Sequence, residues 1–414
     1  MNDKNTIERT RYVDQIIASL WSPIIKVITG MRRVGKSSIL ESILARLKRE
    51  GVMREDQIFY MNKELPEFFH IRMGEDLWLV LEPFLVKQTD RCIIAIDEIQ
   101  EITWWEKVIA GIQAQYGSQA DIIITGSNSH LLGGELATLI AGRYITFQIF
   151  PLTWNEYRQF SKGDPTRDHF LEYMEFGGLP GIHMFRGQYT LILSYLRSVY
   201  ESIVLRDIVE RFQIRNLDFL RNLYYYTGGN IWHIVSAQSI ARYLRNQKIT
   251  ISVDSIIQYL SYGIHTYIFD KVHSIDSNSK KIFEIYNKYY FWDIWLRNSV
   301  VGYALSRDIS GILENIVYLH LRTYGYSVVI GRAWGDLEVD FIASRWWEKY
   351  YFQVTTTLMD TNTRQREYES LECIDDHYPK YVIHFDDIDW WVTQSGINHI
   401  SLLDFEDRLI RGDL

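Results

Sequence analysis

Residues 24–50 read IIKVITGMRRVGKSSILESILARLKRE: an apolar run, a turn bounded by two glycines, and an amphipathic stretch. Within it, Gly30-Met31-Arg32-Arg33-Val34-Gly35-Lys36-Ser37 satisfies G-x-x-x-x-G-K-[ST], with the preceding strand and following helix that this pattern requires. Each position has a physical task. Gly30 and Gly35 give the loop the backbone freedom to curl around a phosphate and bring its N–H groups close. Lys36 sets an ammonium against the outer phosphates, and the Ser37 hydroxyl is a magnesium ligand. The first turn of the helix, with Ser38, adds unpaired amides and the positive end of the helix dipole. Arg33 completes the set of loop residues assigned to the nucleotide. The cofactors this predicts are ATP and Mg2+.

Outward from the loop, the first 160 or so residues alternate short apolar runs with amphipathic stretches, the rhythm of an α/β fold with a parallel sheet. Five runs read as strands: 24–29, 57–62, 92–97, 121–125 and 144–150. Several are apolar at nearly every position, as strands covered on both faces should be.

Two of these strands end in polar residues at the place where open α/β sheets present ligands. RCIIAIDE, residues 91–98, closes on two carboxylates. Asp97 is placed to hold the magnesium through water, and Glu98 to polarise the attacking water. The next run ends Thr125-Gly126-Ser127-Asn128. Thr125 and Ser127 suit water positioning and sensing of the γ-phosphate; alternatively, Ser127 or Asn128 caps a helix. Arg143, just before the fifth strand, is either an arginine finger or a solvated surface cation.

These residues resemble the prokaryotic AAA-type ATPases, which are similar in core topology to AAA+ and STAND-type NTPases. The likeness is carried by Gly30–Ser37, by the Asp97–Gln100 acidic motif, by Thr125–Ser127 and by Gly142-Arg143. Two further phrases are similar to family phrases, Gly177-Gly178-Leu179-Pro180 and the run Lys288–Asp293. The resemblance implies four segments: a P-loop ATPase core at 1–160, a helical lid at 161–216, a winged-helix-like module at 217–300, and a PD-(D/E)XK nuclease-like α/β domain at 301–414.

The middle module reads as helices near 217–227 and 236–246, then a third at 253–263 with Ile256, Ile257 and Leu260 facing inward, then wing strands at 267–272 and 281–286. A nucleic-acid-reading helix offers cations to phosphates or base edges. No Lys or Arg lies between Lys248 and Lys271. Between 239 and 300 the cations are Arg242, Arg245, Lys248, Lys271, Lys280, Lys281, Lys288 and Arg297, against Asp254, Asp270, Asp276, Glu284 and Asp293. This weak basic patch fits either DNA contact or a protein partner.

In the C-terminal segment the resemblance implies a magnesium site built from Glu314, Asp340 and Gln353. The water-polarising lysine is missing, because Thr355 stands at its position. Lys349 precedes that strand and Arg364 and Arg366 follow it, none at the right offset. The expectation is a degenerate domain that does not cleave DNA.

Composition bounds the rest. With 47% hydrophobic and 23% charged residues the chain is that of an ordinary soluble globular protein, too long at 414 residues for one typical domain. No apolar run reaches bilayer-spanning length. Two cysteines exclude a disulfide framework and point to the cytoplasm. A net charge of −8 argues against a surface coated in positive potential, so any nucleic-acid contact must be local. The expected function is ATP turnover coupled to action on DNA or a protein partner, by a homo-oligomer when ATP is bound. The alternatives are an ATP-dependent nuclease and a nucleotide-switched signalling or scaffold protein.

Overall fold

The structure is a computed structural model that describes residues 7–128, 142–164, 166–214, 216–231, 233–249, 251–276, 282–332, 337–386, 391–393 and 395–414, with the backbone path alone at 276, 282–286 and 305–307. The chain forms two compact units, Met1–Ile149 and Phe150–Leu414.

The first unit is built on five parallel strands: β1 (Ile25–Thr29), β2 (Ile58–Asn62), β3 (Cys92–Asp97), β4 (Ala120–Gly126) and β5 (Tyr144–Gln148), in the order β2-β3-β4-β1-β5. β1, β3 and β4 are buried at every residue, which accounts for their unbroken apolar runs. One face presents Ile25 and Val27 of β1, Ile94 and Ile96 of β3, and Ile122 and Ile124 of β4 to Leu77, Leu81 and Leu85 of helix Gly74–Lys87 and Ile109 and Ile112 of helix Trp105–Tyr116. Helix Lys36–Arg49 packs against β3 and β4 with Ile39, Leu40, Ile43, Leu44 and Leu47 buried. Lys26 points into this interior and is neutralised there by Asp121 at 2.5 Å, with a second hydrogen bond to the Ser22 carbonyl. An unpaired ammonium at 0% exposure would be costly.

The second unit carries a mixed seven-stranded sheet: β6 (Phe269–Asp276), β7 (Ile282–Phe291), β8 (Ser327–Arg332), β9 (Glu338–Arg345), β10 (Glu348–Thr355), β11 (Lys380–His384) and β12 (Ile397–Ser401). Their order is β12-β11-β10-β9-β8-β6-β7. The hairpin read from the sequence as a wing is the edge of this sheet, with β6 running parallel to β8 from Ser274↔Ile330 to Asp276↔Arg332. Residues expected to form two separate modules, 217–300 and 301–414, therefore share one sheet. Helix Leu305–Thr323 packs on β7, β8, β9 and β10. Its Asn315 amide bonds both backbone groups of Phe291, at 2.7 and 2.8 Å, acting as a surrogate strand for β7.

Helices Leu217–Gly229, Ala237–Asn246 and Val253–His265 lie where the sequence predicts them. Ile256, Leu260 and Gly263 are the buried positions of the third. Ile257 is not: it is 53% exposed, because the buried stripe runs at steps of four and three and leaves position 257 about 100° out of phase.

Asp293 brings together the two phrases Gly177–Pro180 and Lys288–Asp293. Its carboxylate accepts N–H bonds from Gly178 and Trp295, both at 2.8 Å, and so caps helix Ile294–Val301. Gly177 has φ +72°, and a Cβ there would lie 2.0 Å from the Asp293 carboxylate. Burial pushes the Asp293 carboxyl up to about 7 against the pull of these amides. Asp293→Ala should leave both amides buried without an acceptor and lower unfolding free energy by about 2–5 kcal/mol, measured by denaturant titration. A loss below about 0.5 kcal/mol would show that the cap is dispensable.

Candidate functional site

The loop Gly30–Ser37 leaves the C-terminal end of β1, beside the ends of β3 and β4. Gly30 at φ +150° and Gly35 at φ +96° hold the curl. A Cβ on Gly30 would meet the Ile149 carbonyl oxygen at 2.4 Å, so glycine is required there by space as well as by angle. Arg33 also has positive φ and is exposed, as is Ser38. Lys36 is 4% exposed; its ammonium donates to the Gly30 and Met31 carbonyls at 3.2 and 3.1 Å and lies 3.6 Å from the Glu98 carboxylate. Behind the loop, the Arg9 guanidinium donates to the Val34 carbonyl at 3.2 Å.

Asp97 and Glu98 are both buried, yet their surroundings push them in opposite directions. Burial raises the Asp97 carboxyl above its ordinary value, against hydrogen bonds from Ser37 and Thr125. For Glu98 burial acts the same way, but the Lys36 ammonium and the Gln100 amide outweigh it and hold the group below its ordinary value. Glu98 takes a left-handed backbone (φ 55°), so the chain turns sharply after β3. The turn is secured by Thr125, whose hydroxyl donates to Asp97 while accepting the Glu98 N–H at 3.0 Å. Gln100 donates to Glu98 and, at 3.4 Å, to the Ser127 hydroxyl. Thr125 is thus committed to the acidic pair, and Ser127 is tied to it through Gln100, a residue the sequence reading quoted without giving it a task.

Asp97 is 1% exposed, and one of its carboxylate oxygens has no hydrogen-bond partner. A buried anion with an uncommitted oxygen, next to the Ser37 hydroxyl, fits a hard oxygen-seeking cation such as magnesium. Arg143 is not part of this cluster. Its carbonyl accepts the Ile25 N–H at 2.8 Å, which puts it at the entry of β1, a strand length or about 15 Å from the loop. Residues 129–141, which follow the predicted sensor stretch, lie outside the described residues.

In the second unit the structure gathers Glu314, Asp340 and Gln353. The Asp340 N–H donates to the Gln353 side-chain oxygen at 3.1 Å, and the Asp340 carboxylate accepts the Val354 N–H at 2.8 Å. The Gln353 amide donates to Glu367 at 2.6 Å. Sequence reasoning missed the residue at the centre: Lys288 of β7, 2.7 Å from Glu314, 3.7 Å from Asp340 and also paired with Glu338. Thr355 turns its hydroxyl to the Thr357 carbonyl, Lys349 pairs with Asp376, and Arg366 pairs with Glu367.

Residues 22–158 match the model of an AAA domain, and residues 167–307 match that of a domain of unknown function, DUF8612. An uncharacterized protein of Haemophilus influenzae is 31% identical over 92% of this chain and 94% of its own length. An uncharacterized protein of Methanocaldococcus jannaschii is 29% identical over 84% of this chain and 78% of its own. Among solved structures, a Walker-type ATPase of Pyrococcus abyssi is similar in fold, with TM-score 0.50 at 16% identity over 72% of this chain and 97% of that one.

Thr125→Val removes the acceptor of a buried amide and a donor to Asp97 at the same time. It should cost about 1–3 kcal/mol of stability in urea or guanidinium titration. An unchanged midpoint would mean that the Thr125 hydroxyl does not organise the acidic pair.

Proposed function

This chain belongs to the AAA-type P-loop ATPases, and we propose that it binds magnesium ATP at Gly30–Ser38 and hydrolyses it with Glu98 as the water-polarising base. The observation that carries this reading is the cluster at the strand ends: Lys36 against Glu98, and Asp97 beside Ser37 with one oxygen uncommitted. The loop amides and the Lys36 ammonium receive the β and γ phosphates, for which Lys36 leaves the Gly30 and Met31 carbonyls. Ser37 and Asp97 would hold the magnesium, whose charge would offset the negative charge that builds on the phosphate oxygens as the γ-phosphoryl group passes to water. Glu98, no longer paired with Lys36, is then available to accept a proton from the attacking water. Gln100 links Glu98 to Ser127, which supports a task for Ser127 in reporting the state of the γ-phosphate.

ATP turnover then drives a change that acts on DNA or on a protein partner. The protein-partner reading is favoured by the middle module. Of the eight cations counted there, Lys288 and Arg297 are buried in ion pairs with Glu314 and Asp308, which removes them from any basic patch. The third helix instead exposes Val253 and Ile257. ATP hydrolysis measured with and without single- and double-stranded DNA decides the matter: stimulation by DNA would overturn the protein-partner reading.

The chemistry is tested by two substitutions. Lys36→Ala should abolish binding of a fluorescent nucleotide, while Glu98→Gln should keep it and lose turnover by about a hundredfold or more. Wild-type binding in the first variant, or wild-type turnover in the second, would sink the assignment.

Arg143, a strand length from its own loop, can neutralise γ-phosphate charge only at a neighbouring subunit. The expected outcome is a homo-oligomer in light scattering with a non-hydrolysable analogue. Arg143→Ala should retain binding and lose turnover, and mixing it with Lys36→Ala should restore part of the activity. A strict monomer at all concentrations would rule out the arrangement.

A further inference from the structure

We propose that the Lys288 ammonium is itself the cation of the buried carboxylate cluster in the second unit, taking the place a divalent metal would occupy and closing that cluster to metal and to phosphodiester cleavage. The cluster draws on three elements: Lys288 and Tyr290 from β7, Glu314 from helix Leu305–Thr323, and Glu338 and Asp340 from β9. Lys288 is 1% exposed, Glu314 5% and Asp340 9%. Among the described residues of the cluster, Glu338 is the most exposed, with 30% of its side chain open to solvent.

Most of the oxygens a metal would need already face a donor. One Glu314 oxygen accepts from both Lys288 and the Tyr290 hydroxyl. One Asp340 oxygen faces Lys288 and the other accepts the Val354 N–H. The Gln353 oxygen accepts the Asp340 N–H. Among the described residues no group of three His, Cys, Asp or Glu side chains is arranged to hold a metal ion. An ammonium brings three donors and one positive charge, and three carboxylates stand within ion-pair distance of this one. A buried charge set of this kind persists only while each member keeps its partner. The same ammonium therefore joins hairpin β6–β7 to the rest of the sheet.

The experiment uses the full chain without nucleotide and follows Mn2+ binding by electron paramagnetic resonance. Wild type, Asp340→Asn and Glu314→Gln should titrate alike, because the cluster contributes no metal site. Lys288→Met removes the resident charge and should gain a single saturable Mn2+ site, about tenfold or more tighter than any in wild type. That site should vanish in Lys288→Met combined with Asp340→Asn. If Lys288→Met folds only with metal, far-ultraviolet circular dichroism should recover on adding Mn2+ and collapse with chelator, which supports the proposal equally. Lys288→Arg, which keeps the charge, should fold and remain metal-free. Three results would overturn the proposal: wild-type Mn2+ binding abolished by Asp340→Asn, plasmid nicking lost in both Asp340→Asn and Lys288→Met, or a folded Lys288→Met that gains no ion. Should Lys288→Met fail to fold in any condition, Lys288→Gln with Glu338→Gln carries the same titration with less unbalanced charge, and the wild-type arm can overturn the proposal by itself.

Discussion

The parallel register of β1, β3 and β4 is the constraint on which the candidate site rests. Thr29 stands opposite Gly126 and Ile96 opposite Ile124, so the glycine loop, the acidic pair and the Thr125 hydroxyl emerge along one edge. A slip of one residue in any of the three would turn its terminal side chain to the other face and scatter the group. The register is held by burial: every residue of these strands is enclosed, and the Lys26–Asp121 pair fastens β1 to β4 at the far end. The strained backbone of Glu98 is tolerated because the rest of the sheet determines where β3 ends.

What was legible in the sequence was local. The loop needs glycines and a lysine at fixed spacing, and buried parallel strands need unbroken apolar runs, so residues 24–50 and the five strands could be read directly. The acids at 97 and 98 were legible for the same reason. Their opposite electrostatic surroundings were not, since these come from Lys36, Gln100 and Thr125, each brought in from another segment. The burial of Ile257 was misjudged because the phase of a helical stripe depends on which side faces the partner helix, and a run of isoleucines fits two phases.

Lys288 shows the limit most clearly. Along the sequence the candidate cations are the chain neighbours of Gln353: Lys349 before it, and Arg364 and Arg366 after it. The sheet instead places β7 and helix Leu305–Thr323 together, so that a lysine from the middle segment meets Glu314 and Asp340. The same geometry explains why that segment and the C-terminal segment resist division. Asn315 completes the hydrogen bonding of Phe291, Tyr318 and Trp292 share Asp270, and Arg297 pairs with Asp308. These are buried or half-buried polar contacts, which fix relative position more strictly than apolar packing does.

The pairing of β6 with β8 also sets an order in time. A ribosome delivers Ser274 well before Ile330, so hairpin β6–β7 must wait with one edge open until helix Leu305–Thr323 and β8 have followed it out. Until then the Lys288 ammonium has no carboxylate opposite it and must remain in water. The sheet of the second unit can therefore close only after its late, non-local strand pairing is made, while the nucleotide-binding sheet can be complete once β5 has been made.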